Sequence, residues 1–342
     1  MSRAQLTSTV EQSSAGVLSP RIAGKNKIIN GDFGIWQRGT SFTNPSDLSY
    51  TADRFLVNYN GTGATRTISQ QTFTPGTAPV AGYEGQFFYR YAVSVAGSGN
   101  TYNFLVQRIE DVRQLAGQTV TVSFWGKADS SRSINGSVWR QNFGSGGSGD
   151  VDTNSGSTFS FTTSWQRFTT TFAVPSIAGK TIGTSSYVNL FIASLPSNTT
   201  FTVDIWGVQL EVGSVATPFT TATGTVQGEL AACQRYFVRF NPTFISDAPF
   251  GTGIFKTTTA AAHIMNLPVT MRSAPSTTFS AANTFYCWGG AGSGSPSAVT
   301  GGGNTTNIIE LSATRSSTTV GFASYIQALG AAAAYVDASA EL

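Results

Sequence analysis

The sequence predicts an all-β chain, a β-sandwich followed by a smaller C-terminal β domain. Three observations carry this reading. From Asn26 onward apolar residues recur with a period of two, Gly, Ser, Asn and Pro separate the runs, and only two short stretches suit a helix.

The N-terminal residues 1–25 are polar and aperiodic, and read as an extended attachment arm. Residues 26–225 hold the sandwich strands. In "GQFFYRYAVSV" one face takes Phe87, Tyr89, Tyr91, Val93 and Val95. In "GQTVTVSFWGKA", Val120, Val122 and Phe124 oppose Thr119, Thr121, Ser123 and Trp125. "GSTFSFTTS" supplies Phe159 and Phe161, "WQRFTTTFAVP" supplies Phe168, Phe172 and Val174, and "SYVNLFIASL" supplies Val188, Leu190 and Ile192.

The last sandwich strand, "TFTVDIWGVQLE", changes parity. Phe201, Val203 and Ile205 are odd, while Val208 and Leu210 are even. One extra residue at Gly207 restores a single face, which predicts a β-bulge there, with the "GSVATPF" tail folding over the edge. The helical candidates are "IEDVRQLAG" near 109–117 and "VQGELAACQRYF" near 226–237. Residues 226–342 form the second β domain, with a Gly-rich, flexible loop expected at 289–306.

Composition narrows the function classes. Charged residues are only 11% of the 342, against roughly 25% in an average soluble domain. Such a surface suits a subunit packed against copies of itself or other proteins, although an ordinary Ser/Thr/Gly surface fits too. The net charge is +3 with no Lys/Arg cluster, so nucleic acid is not an expected partner. The N-terminus lacks the apolar core of a signal peptide and no later run suits a membrane span. Synthesis in a cytoplasm, without the usual export and without membrane insertion, is therefore expected. Cys233 and Cys287 have no metal-ligand spacing; they read as buried free thiols, with pairing as the alternative.

Four segments in order carry a resemblance: "NKIINGDFGIWQRGTSFT", "LAGQTVTVSFWGKAD", "WQRFTTTFAVP" and "VDIWGVQLEVGSVATPF". Their order and spacing resemble jelly-roll carbohydrate-binding modules. Together with "LAACQRYFVRF", "LPVTMRSAP" and the terminal "ASAEL", the chain resembles tail-fibre-like or receptor-binding virion proteins of bacteriophages over residues 26–342. The resemblance implies a homotrimer in the virion, held to other virion proteins by the arm and presenting its β domains to host-surface glycan. A capsid decoration or head-fibre protein that stabilises the shell is the alternative. The resemblance also implies that a structural calcium could sit near the first and last strands, at Asp32 and Asp204; a hydrogen-bonded turn and a strand surface are the simpler reading of that pair.

A sugar site needs flat aromatic rings beside hydrogen-bonding side chains. Two stretches offer them: Trp139 with Arg140, Gln141 and Asn142, and Tyr187 with Asn189. The same aromatics fit a subunit contact. Trp125 and Trp206 sit inside the family-like segments and are expected to hold the fold. No catalytic residue is expected. His263 is the only histidine and lies in an apolar context, and the scattered carboxylates suit turns better than a glycan depolymerase.

Overall fold

The structure is a computed structural model that describes residues 24–80, 83–241, 247–289, 293–316, 318–329 and 334–342. The expected arm therefore lies outside the described residues up to position 23. The chain is all-β apart from one α-helix and a short 3-10 turn, among the described residues. It divides into two compact units between Glu229 and Leu230.

The first unit is a sandwich of two sheets. One has the order β1 (Ser41–Thr43), β3 (Thr65–Thr72), β4 (Phe87–Val95), β13 (Phe201–Val212), β6 (Thr119–Ala128) and β11 (Gln166–Ala173). The other has the order β10 (Thr158–Phe161), β7 (Arg132–Asn135), β12 (Tyr187–Ser194), β5 (Asn103–Glu110) and β2 (Phe55–Tyr59). On this second sheet β8 (Val138–Asn142) pairs with β12, and β9 (Val151–Asn154) extends β8.

The period-two residues are what the sandwich buries. Val120, Val122 and Phe124 from the first sheet meet Val188, Leu190 and Ile192 from the second in one core. Across β11 and β6, Phe168 pairs with Phe124 and Phe172 with Val120, so inward residues of neighbouring strands share a face. Phe87 and Val95, at the ends of β4, are only partly buried and exposed respectively, while the interior Tyr89 and Tyr91 are fully buried.

The bulge lies at the expected glycine. Trp206 pairs with Trp125 but Gln209 pairs with Ser123, so β13 carries one residue more than β6 across this step. Gly207 has φ of 66°, a left-handed conformation that glycine adopts without penalty. Beyond the bulge the tail turns back, and Phe219 packs against Trp206 at 5.0 Å between ring centroids. Trp125, Trp206, Phe73, Phe88 and Phe219 form a second apolar cluster outside the main core.

One expected helix is absent. Residues 109–117 end β5 and then turn, because Asp111 and Leu115 both take φ of 66°, which no α-helix tolerates. The turns bury Val112 and Leu115, which accounts for the apolar spacing that resembled a helix. The other helix is present as α1 (Val226–Gln234). Thr225 starts it: its hydroxyl accepts the Gly228 amide at 3.0 Å and its carbonyl accepts that of Glu229.

The second unit contains two antiparallel sheets. The larger runs β18 (Phe285–Trp288), β21 (Ala323–Ala328), β15 (Pro249–Phe255), β16 (Ala260–Asn266), β20 (Ile308–Thr314) and β19 (Ala298–Gly301). The smaller runs β14 (Phe237–Phe240), β22 (Val336–Ser339) and β17 (Ser276–Phe279). Both contribute to one core that includes Phe285, Ile309, Leu311, Ile326 and Val336. The expected loop at 289–306 is interrupted by β19, which pairs along β20. Cys233 and Cys287 are both buried, and no disulfide joins them.

Candidate functional site

The outer face of the second sandwich sheet carries a cleft of about 500 Å³, within the range of roughly 300–1,000 Å³ usual for ligand sites. Its floor is built by strand register. Leu56, Val106, Phe191 and Val138 lie side by side across β2, β5, β12 and β8, an apolar strip perpendicular to the strands. Two residues further along lies a polar strip: Arg108 on β5, Asn189 on β12, Arg140 on β8 and Asp152 on β9. Because side chains alternate, residues two apart share a face, so both strips open into the same cleft.

Aromatic rings flank the apolar strip. Phe104 meets Phe191 edge-on at 4.9 Å, and Tyr102 stacks on Phe104 at 6.1 Å. Tyr187 lines the cleft next to the polar strip, with the Arg108 guanidinium 4.9 Å from its ring centre. Asn189 accepts a hydrogen bond from Arg108 Nε at 3.2 Å. Arg140 donates from Nε and Nη2 to the two Asp152 oxygens at 2.7 and 2.8 Å, and lies 5.6 Å from the Phe191 ring centre. This hydrogen-bonded pair raises the pKa of Arg140 and lowers that of Asp152, so both are charged at neutral pH.

Four of the six sequence-predicted sugar residues meet here. Arg140, Tyr187 and Asn189 line the cleft, and Asn142 stands at its margin, donating to Asp150 at 3.0 Å. Trp139 and Gln141 do not. Trp139 is fully buried in the sandwich core, 6.0 Å from Phe172. Gln141 is equally buried, and its amide donates to the Pro175 carbonyl at 3.0 Å. The sugar reading turned Trp139 outward; the strand lies the other way up, with Val138 on the cleft floor. Sequence reasoning missed the apolar strip itself. Its signal was Phe191, which breaks the parity of Val188, Leu190 and Ile192 and marks a strand with apolar residues on both faces.

At Asp204, one of the two positions the resemblance implies for calcium, the carboxylate is engaged by cations of the chain. This carboxylate is 3% exposed and accepts Arg90 Nε and Nη2 at 2.7 and 2.8 Å, with Lys127 Nζ at 3.5 Å. Two cations already neutralise it, and a dication there would have to displace them. Asp32 lies elsewhere, on a smaller cleft with Glu84 and Glu229, where burial and then the Glu229 charge raise its pKa. Asp32 and Asp204 thus have different partners. Among the described residues no group of three or more His, Cys, Asp or Glu is placed to hold a metal ion.

His263 is fully buried in the second unit, with Nε2 2.9 Å from the Ser324 hydroxyl. Burial pushes its pKa down to about 4, against a smaller opposing pull from the Leu311 backbone.

No family model matches the sequence, and no curated protein matches it. Solved structures do. Its structural neighbours include carbohydrate-binding modules and a bacteriophage tailspike domain. A CBM4 structure shares 18% identity, with 54% of this chain and 98% of that one covered, at a TM-score of 0.32. The CBM22-1 xylan-binding domain from Paenibacillus barcinonensis shares 10%, over 57% of this chain and 98% of that one, at 0.32. The enzymatically active domain of tailspike protein 4 from bacteriophage CBA120 shares 14% over 55% of this chain, at 0.33, but only 22% of the tailspike chain is covered. The strand pairing described above is what establishes the sandwich.

Proposed function

We propose that this chain is a glycan-binding structural protein of a bacteriophage particle, a tail-fibre-like subunit that binds host-surface sugar through the cleft on β2, β5, β12, β8 and β9. The observation that carries the binding reading is the pair of parallel strips on the cleft floor. A pyranose ring has an apolar C–H face and a rim of hydroxyls. The Leu56–Val106–Phe191–Val138 strip with Phe104 suits the first, and the Arg108–Asn189–Arg140–Asp152 strip suits the second.

The proposal is of binding without turnover. The cleft carboxylates are engaged: Asp152 by Arg140, Asp150 by Asn142, and Asp47 by the Asn58 amide and the Tyr59 backbone at 3.0 and 2.8 Å. Placement in the virion rests on the ordered sequence segments that resemble phage fibre proteins. Several copies, in the expected trimer and on each particle, would convert weak single sites into tight attachment.

Two measurements test this. On a glycan array the purified chain should bind at least one glycan class, and Tyr187→Ala with Phe104→Ala should weaken that binding at least tenfold while leaving the circular dichroism spectrum unchanged. Immunogold labelling of intact particles should mark the tail. Absence of glycan binding removes the function, and labelling confined to the capsid removes the tail assignment.

A further inference from the structure

The cleft's charged side chains are engaged by neighbouring groups before any ligand arrives. Its lining holds three carboxylates, Asp47, Asp150 and Asp152, against two guanidiniums, Arg108 and Arg140. Arg108 is turned toward Asn189 and the Tyr187 ring. Arg140 is the cation beside the apolar strip, and Asp152 takes it with two parallel hydrogen bonds. Resting on the glycan reading above, we infer that Asp152 is a specificity-determining residue: by occupying Arg140 it restricts the cleft to neutral glycans and excludes uronic and other acidic sugars.

Asp152 and a sugar carboxylate compete for the Arg140 guanidinium. An exposed ion pair of this kind contributes little to stability, and both side chains are more than 40% exposed, at 41% and 49%. A sugar carboxylate could therefore reach Arg140 if the site were free. Asp152, however, is tethered on the adjacent strand in direct register with Arg140, so its effective concentration is on the order of millimolar or higher. A glycan carboxylate reaches Arg140 only by displacing Asp152. Asp150, on the same side of the cleft, adds like-charge repulsion. A neutral ring avoids both terms and still finds the apolar floor.

The inference predicts a gain of function. In Asp152→Asn the guanidinium keeps its place over Phe191 but loses its internal counter-ion, and becomes a bidentate partner for a ligand carboxylate. Binding of the full chain is measured by isothermal titration against matched hexasaccharide pairs, one neutral and one carrying a uronic acid. The wild type should prefer the neutral member at least tenfold. Asp152→Asn should shift the preference severalfold toward the acidic member of each pair, with the shift shrinking as salt is raised. A wild type that binds the acidic member equally or better overturns the inference and leaves glycan binding standing, as does an unchanged preference in Asp152→Asn. If neither protein binds either member of any pair, the glycan reading falls and takes this inference with it.

Discussion

Gly207 lies against the face of Trp125: a Cβ placed on it would come within 2.8 Å of Trp125 Cε3. The contact links the bulge in β13 to the aromatic cluster beneath it, so the strand can bend only where no side chain intervenes. Gly207→Ala meets both the ring and the positive φ, and should cost roughly 2–3 kcal/mol. Urea denaturation measures it, with a lower midpoint and an unchanged slope as the expected outcome.

Trp139 and Tyr187 separate packing from binding. Trp139→Ala opens a cavity in the sandwich core and should destabilise the first unit by about 3–5 kcal/mol. Tyr187→Ala, on the partly exposed cleft wall, should leave the melting temperature within a few degrees while weakening glycan binding. Equal stability losses in the two variants would contradict the inward and outward assignment of their faces.

Asp204 is held by cations of the chain, and its replacement should behave accordingly. Asp204→Asn leaves Arg90 and Lys127 facing each other without a counter-charge and should destabilise by about 1–3 kcal/mol. Calcium or a chelator should change the wild-type and Asp204→Asn melting temperatures to the same extent. A calcium-dependent stabilisation that Asp204→Asn abolishes would restore the metal reading.

His263 gives the second unit a pH dependence of defined sign. Its folded pKa of about 4 lies below the unfolded value near 6.5, so the unfolded chain binds the proton more readily. The stabilising contribution is complete above about pH 6.5 and is lost as pH falls toward 4, with a magnitude on the order of 3 kcal/mol. Denaturant melts at pH 7.5, 5.5 and 4.5 would show it, as would their flattening in His263→Gln. His263 is the only histidine, so no other imidazole contributes in that window.

The sandwich was legible where the core-facing apolar residues of a strand alternate with polar ones. Val120, Val122 and Phe124 alternate with threonine and serine, and that contrast fixes which side faces the core. The bulge at Gly207 was legible for the same reason, because a change of parity within one strand has few mechanical causes. The cleft was not fully legible because its strands are apolar on both faces. "VWRQN" puts an apolar residue on each side, and alternation alone cannot say whether Val138 or Trp139 points inward. Size decides it: the sandwich core accommodates the indole, and the cleft floor takes the smaller valine. Residues 109–117 misled differently, since Val112 and Leu115 are buried by turns rather than by a helical face.

The most direct test of the account maps a bound neutral oligosaccharide onto the protein by amide chemical-shift perturbation in solution. Shifts should gather on Phe104, Val106, Arg140, Tyr187, Asn189 and Phe191, with Trp139 and Gln141 affected only through their neighbours. Shifts centred on another surface, or none at saturating sugar, would contradict the assignment of the cleft as the binding face.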